Sequence, residues 1–165
     1  MRVLGIDASL RSTGFGIVAQ MGSSFRSLEF GLIRNAASRS HAQCLGAIQV
    51  KIADLLETHH PDAVALEGGF YFKNARTALI LGEVRGAVIA ACAVRGVPVF
   101  EYAPRRVKQS LTGTGTAAKE QVGRMVAAIL GLTEPPPEDA ADALALALCH
   151  LNSQTGIAAL QPKPL

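Results

Sequence analysis

Apolar positions come in short dense runs near the start of the chain and at helical spacing farther on. Residues 2–9 hold the run Val3-Leu4-Gly5-Ile6 and read as a buried strand. A short turn leads to residues 12–19, so these two segments predict a hairpin. Residues 24–34 alternate apolar and polar, as a third strand would. Residues 40–58 place Leu45, Ile48, Ile52, Leu55 and Leu56 on one helical face. After Pro61-Asp62, residues 63–67 form a short buried strand. Residues 75–95 read as a long helix, apolar on most faces, and residues 97–102 as another strand. Pro104 suits the first turn of a short helix ending near Leu111. A helix over 117–130, a proline-rich loop and a final helix from Asp139 to about Asn152 complete the pattern. The order is three antiparallel strands, then helix–strand–helix–strand–helices. It predicts an α/β fold, a mixed sheet with helices on its faces. Residues 1–152 read as one domain and residues 153–165 as a tail, with disorder as one expectation for it.

Three carboxylates interrupt this pattern. Asp7 ends the run Val3–Ile6, Glu67 ends Ala63-Val64-Ala65-Leu66, and Asp142 lies inside the apolar stretch 140–146. Desolvating a carboxylate costs several kcal/mol unless something compensates, roughly. Three such acids from distant parts of the chain suggest one shared solution, a divalent cation. Asp139 stands three residues before Asp142, on the same helical face. Each acid also has an ordinary reading: a helix-start residue for Asp139 and, more weakly, for Asp142, an Asx turn for Asp7, a solvated strand end for Glu67. Jointly those readings leave the apolar settings unexplained.

Composition narrows the field. The chain has 165 residues, 49% of them hydrophobic, enough for one domain with a substantial core. No stretch reads as an uninterrupted membrane span, and the first residues do not read as a signal peptide. Cys44, Cys92 and Cys149 are scattered without paired spacing, which points to reduced thiols and a cytoplasmic setting. Net charge is +3, but residues 73–124 hold nine basic residues against three acids, a net of +6, leaving −3 elsewhere. A basic half beside clustered acids suits a metalloenzyme that acts on a polyanion. His59-His60 sits at a helix end, and His150 reads as structural. The glycines of Thr13-Gly14-Phe15-Gly16 do not open a helix, so a nucleotide-binding loop is a weak reading.

These residues resemble the RuvC Holliday junction resolvases, a branch of the ribonuclease H-like nucleases. The likeness rests on Ile6-Asp7 with Arg11 and Thr13–Gly16, then on Glu67-Gly68-Gly69-Phe70 with Lys73-Asn74 and Leu81–Gly86. It continues in Phe100–Pro104, Val107-Lys108-Gln109, Gly113, Gly115 and Lys119–Val122, and ends in Asp139–Ala145. It spans about residues 3–151. One departure is Ala8-Ser9, where the family usually has Pro-Gly.

The resemblance implies a ribonuclease H-like, five-stranded mixed sheet and a homodimer that binds four-way junction DNA. It implies paired symmetric nicks that leave 5′-phosphates, and Asp7, Glu67, Asp139 and Asp142 as ligands of two Mg²⁺ ions, with Mn²⁺ able to substitute. Lys108 and Lys119 match basic residues near the scissile phosphate, and Phe70 matches an aromatic that stacks on a base near the crossover. Lys73, Arg76, Arg105 and Arg106 are candidate DNA contacts. A RuvAB branch-migration complex is a candidate partner. Ala78, Gly82, Gly86 and Ala90 form a small-residue ridge that suits either dimerisation or packing within the monomer. Alternatives are another nuclease of the same fold that cuts RNA or hybrid, an ATP-binding protein of the actin and sugar-kinase type, and a non-catalytic junction binder.

Overall fold

The computed structural model describes residues 1–68, 74–154 and 162–165. Its elements, in chain order, are β1 (Arg2–Asp7), β2 (Ser12–Met21), β3 (Ser24–Arg34), α1 (His41–His59), β4 (Ala63–Glu67), α2 (Ala75–Val94), β5 (Val99–Tyr102), α3 (Pro104–Thr112), α4 (Lys119–Leu130) and α5 (Glu138–Asn152). All the expected strands and helices form, with ends shifted by up to two residues. The sheet order is β3-β2-β1-β4-β5. β1, β2 and β3 pair antiparallel, whereas β4 runs parallel to both β1 and β5. This is the mixed five-stranded sheet expected.

The sheet separates two cores. On one face, Leu4, Ile6, Val64 and Leu66 pack with Ile48, Ile52 and Leu55 of α1 and with Val84 and Val88 of α2. On the other, Val3 and Ala65 pack beneath α5, with α3 and α4 outside it. Side chains alternate along a strand. Asp7 therefore follows Val3 and Gly5, and Glu67 follows Ala63 and Ala65, onto the α5 face. Ile6 pairs with Leu66, so the next residues along both strands, Asp7 and Glu67, sit side by side at the same end of the sheet.

α5 is buried almost all round, from Ala140 to Leu151. Such a helix belongs between layers rather than on a surface. Glycines let it come close to the sheet. A Cβ on Gly5 would stand 1.8 Å from the Ala143 carbonyl oxygen, and one on Gly14 would stand 2.0 Å from that of Asp139. Gly16 meets the Leu144 side chain in the same way. The β1–β2 hairpin is thus a smooth bed for α5, and the bed sets where the acids at the helix start will lie.

α2 is long and apolar enough, by length and composition, to cross a membrane. In the fold it turns Val84, Arg85, Val88, Ala91 and Cys92 inward. Its other side is open: Gly82, Gly86 and Ala90 of the ridge are exposed, as are Leu79 and Val94. The ridge is not spent on packing against the sheet. At the chain end, the Leu165 N–H donates to the Val99 carbonyl at 2.9 Å, so the final residues lie along β5.

Candidate active site

Asp7, Glu67 and Asp142 line one cleft of about 240 Å³, together with Lys108, Lys119, Pro104, Val107, Val122 and Leu146. β1 and β4 bring two of the acids from the sheet. α5 brings the third from above, α3 supplies Lys108, and α4 supplies Lys119. Burial pushes the Asp7 carboxyl up to about 7, and the charges of Asp142, Glu67 and Asp139 push the same way. Burial and then Asp142 raise Glu67, against the pull of Lys119, Arg85 and Lys108. Burial raises Asp142 as well, opposed first by Lys119. Asp7, which holds its proton near neutrality among these raised acids, marks a cluster short of positive charge, a setting that suits an oxygen-ligated divalent cation.

The present contacts qualify that picture. No three of the described His, Cys, Asp or Glu side chains converge closely enough, as they stand, to ligate one ion. Asp139 does not line the cleft; its carboxylate accepts a 2.5 Å hydrogen bond from the Ser12 hydroxyl. Asp142 accepts one from the Lys119 ammonium at 3.4 Å, and that ammonium also donates to Glu138 at 2.5 Å. The bond to Glu138 holds Lys119 above the ordinary lysine range. The donor set therefore fits a hard divalent ion in chemistry and location, with Lys119 as a cationic neighbour of Asp142.

Asp139 does not cap α5 with its side chain, because Pro137 occupies the N-cap, but it does lie in the first turn, where the helix dipole favours an acid. His59 pairs with Glu29 at 2.7 Å rather than resting at the helix end alone. His150 is fully buried, hydrogen-bonded to Tyr102. The Ala8-Ser9 turn is braced by Thr13, whose hydroxyl donates to the Ser9 carbonyl at 2.5 Å. Neither Ala8 nor Ser9 has a positive φ, so the turn does not need the family's glycine.

The candidate DNA contacts are spread. Phe70 and Lys73 lie outside the described residues. Arg76 lines a separate cavity with Ala8, Arg11 and His41. The Arg105 stem lies over Gly115, and Arg106 stacks on the Tyr102 ring at 5.5 Å while donating to Ser153. Ser12, Glu138, Arg85 and Glu101 escaped the sequence reading as site residues. Arg85 carried a signal, a charge directly beside Val84 in a largely apolar helix, but it reads there as part of the basic surface.

The sheet order, with acids on adjacent parallel strand ends facing a helix that crosses the sheet, defines a ribonuclease H-like nuclease. The family model for "Crossover junction endodeoxyribonuclease RuvC" matches residues 3–150. A curated relative of that name from Chlorobium phaeovibrioides is 50% identical over 153 residues, covering 92% of this chain and 81% of its own. Another, from Caldicellulosiruptor saccharolyticus, is 41% identical over 159 residues, covering 95% and 96%. The structure of T. thermophilus RuvC in complex with Holliday junction substrate superposes with a TM-score of 0.89 at 36% identity, covering all of both chains. The yeast mitochondrial Holliday junction resolvase Ydc2, 14% identical with a TM-score of 0.65, shares the fold. The chain belongs to the RuvC family of crossover junction endodeoxyribonucleases, hydrolases that depend on a divalent metal.

Proposed function

We propose that this chain resolves four-way DNA junctions by paired, symmetric phosphodiester hydrolysis that leaves 5′-phosphates, with Asp7, Glu67, Asp139 and Asp142 as ligands of two Mg²⁺ ions. The observation that carries the reading is the cleft shared by Asp7, Glu67 and Asp142 with Lys108 and Lys119 at its edge. It is reinforced by the RuvC relative solved with a Holliday junction. Mn²⁺ substitutes for Mg²⁺ in this reading.

Bound divalent cations supply a more acidic water and charge stabilisation at the leaving oxygen. The chain's own residues do the rest. Asp7 and Glu67, fixed on neighbouring strands, hold the site rigid against the sheet. Asp142 closes it from α5. Lys108 donates toward the scissile phosphate and steadies the charge that builds on it in the transition state. Lys119, which pairs with Asp142, would contact the DNA backbone if the carboxylates held cations. The Ser12 hydroxyl orients Asp139. Phe70 stacks on a base near the crossover, and Lys73, Arg76, Arg105 and Arg106 contact phosphates.

One site makes one nick, so resolution needs two copies. The exposed ridge Gly82-Gly86-Ala90, flanked by exposed Leu79 and Val94, supports a homodimer through α2. Residues 1–152 act as one nuclease domain, in the cytoplasm, with a RuvAB branch-migration complex as a further partner.

The test is cleavage of a labelled mobile four-way junction with Mg²⁺, beside linear duplex and RNA–DNA hybrid of the same sequence. Paired, ligatable nicks confined to the junction are expected. Cutting of hybrid or RNA would move the chain to another branch of the fold, and junction binding without cutting would make it a structural binder.

A further inference from the structure

Glu67 is the last residue of β4. A strand end is free to twist unless its last peptide is held. Two hydrogen bonds hold this one. The Gly68 N–H donates to the Tyr102 carbonyl at 2.9 Å, carrying the parallel ladder one residue past the strand. The Glu67 carbonyl accepts from Arg85 Nη1 at 2.5 Å. The second nitrogen of the same guanidinium, Nη2, pairs with Glu101 Oε1 on β5. Glu101 in turn lies over Gly68, where a Cβ would stand 3.0 Å from its own Cβ.

Arg85 is an unusual occupant of its position. It is 9% exposed, on the inward face of α2 beside Val84 and Val88. Its pair with Glu101 is only half-buried, with the carboxylate open to solvent, and such pairs contribute little to stability. Holding α2 to the sheet therefore does not require an arginine. The fork does something an apolar residue or a lysine does not: it grips a carbonyl and a carboxylate at once, in fixed relative geometry.

We propose that Arg85, braced by Glu101, is a positioning residue that fixes the end of β4 so that the Glu67 carboxylate points into the acid cleft. The inference rests on the reading of Glu67 as a cation ligand. Groups that orient metal ligands typically contribute about 10–100-fold in metal affinity or activity. The arginine would act through Glu67 and touch neither substrate nor cation.

The experiment measures Mn²⁺ binding by electron paramagnetic resonance on the full chain, without DNA, for wild type, Arg85→Met, Arg85→Lys, Glu101→Gln and Glu67→Gln. Circular dichroism confirms folding, and junction affinity is read in EDTA. For Arg85→Met, Mn²⁺ affinity should fall at least about 10-fold, junction affinity should hold, and single-turnover cleavage should recover in part as Mn²⁺ is raised. Arg85→Lys and Glu101→Gln should fall between it and wild type. A folded Arg85→Met variant with wild-type Mn²⁺ affinity would overturn the proposal. If that variant does not fold, wild-type affinity in Glu101→Gln would do the same. Glu67→Gln separates the two levels: if it binds Mn²⁺ like wild type, the metal-site reading fails; if it alone loses binding, only the positioning role of Arg85 fails.

Discussion

Tyr102 and His150 meet in a hydrogen bond, Oη to Nδ1 at 2.7 Å, that joins β5 to α5 inside the core. The bond fastens the helix carrying Asp139 and Asp142 to the strand beside Glu67. The imidazole is fully buried, and that burial lowers its pKa to about 4. The neutral ring is the form the fold accepts. The contribution of His150 is therefore intact above its ordinary pKa and is lost as pH falls from about 6.5 toward 4. Between pH 7 and 4.5, wild type should lose roughly 2 kcal/mol more stability than His150→Asn. Urea unfolding of both proteins across that range checks it; parallel curves would mean that the ring titrates normally.

Asp7 works in the opposite direction. Its pKa is raised to about 7, so the folded, metal-free protein holds a proton that the unfolded chain gives up near 4. Stability should decline between those values as pH rises. Asp7→Asn should abolish cleavage, preserve junction binding, and stabilise the metal-free fold at pH 8 by roughly 1–3 kcal/mol. At pH 4 that advantage should vanish. Melting in EDTA at the two pH values is the readout, and a variant less stable than wild type at pH 8 would contradict the strain assigned to the acids.

Lys108 lines the cleft. Lys108→Ala should slow single-turnover cleavage by roughly 100-fold, as loss of a transition-state donor does. Junction affinity should change little. If affinity falls as far as rate, Lys108 positions DNA rather than easing the chemistry.

Gly86 on α2 has nothing within 4 Å of the place where a Cβ would sit. Within one chain, Gly86→Ala should raise helix stability by up to about 1 kcal/mol. If the ridge is the dimer contact, Gly86→Leu should weaken self-association while leaving the monomer folded. Sedimentation over a concentration series separates the two effects, and an unchanged dimer constant would move the interface elsewhere.

Gly5→Ala should behave quite differently from Gly86→Ala. With the Ala143 carbonyl oxygen 1.8 Å from the added carbon, α5 must lift off the sheet. The expected cost exceeds about 3 kcal/mol, in the range of severe overpacking. Thermal melting of the two variants side by side is the check.

The hydrophobic pattern was enough to find the strands, the helices and three of the acids, because Asp7, Glu67 and Asp142 each interrupt an apolar run. Strand alternation even carries two of them to one face. What the pattern lacks is distance across the fold. Nothing local says that Gly5, Gly14 and Gly16 are absent side chains under a helix more than a hundred residues away. Nothing local says that Asp139, one turn before Asp142, would find Ser12. The basic surface was overcounted for the same reason: Arg85 is bound to Glu101, Arg95 to Glu57 and Lys119 to Glu138. Charge totals record residues and are silent on their partners.

The cleft draws its carboxylates from the first strand, the fourth strand and the last helix. A chain still being synthesised can form β1 and β4 long before α5 has left the ribosome. Until then Asp142 is missing, the sheet's helix bed is bare, and Lys119 has no carboxylate from α5 to rest on. The three-carboxylate cleft is thus assembled only after residue 142 has been synthesised, and a chain cut short before α5 lacks one of its walls.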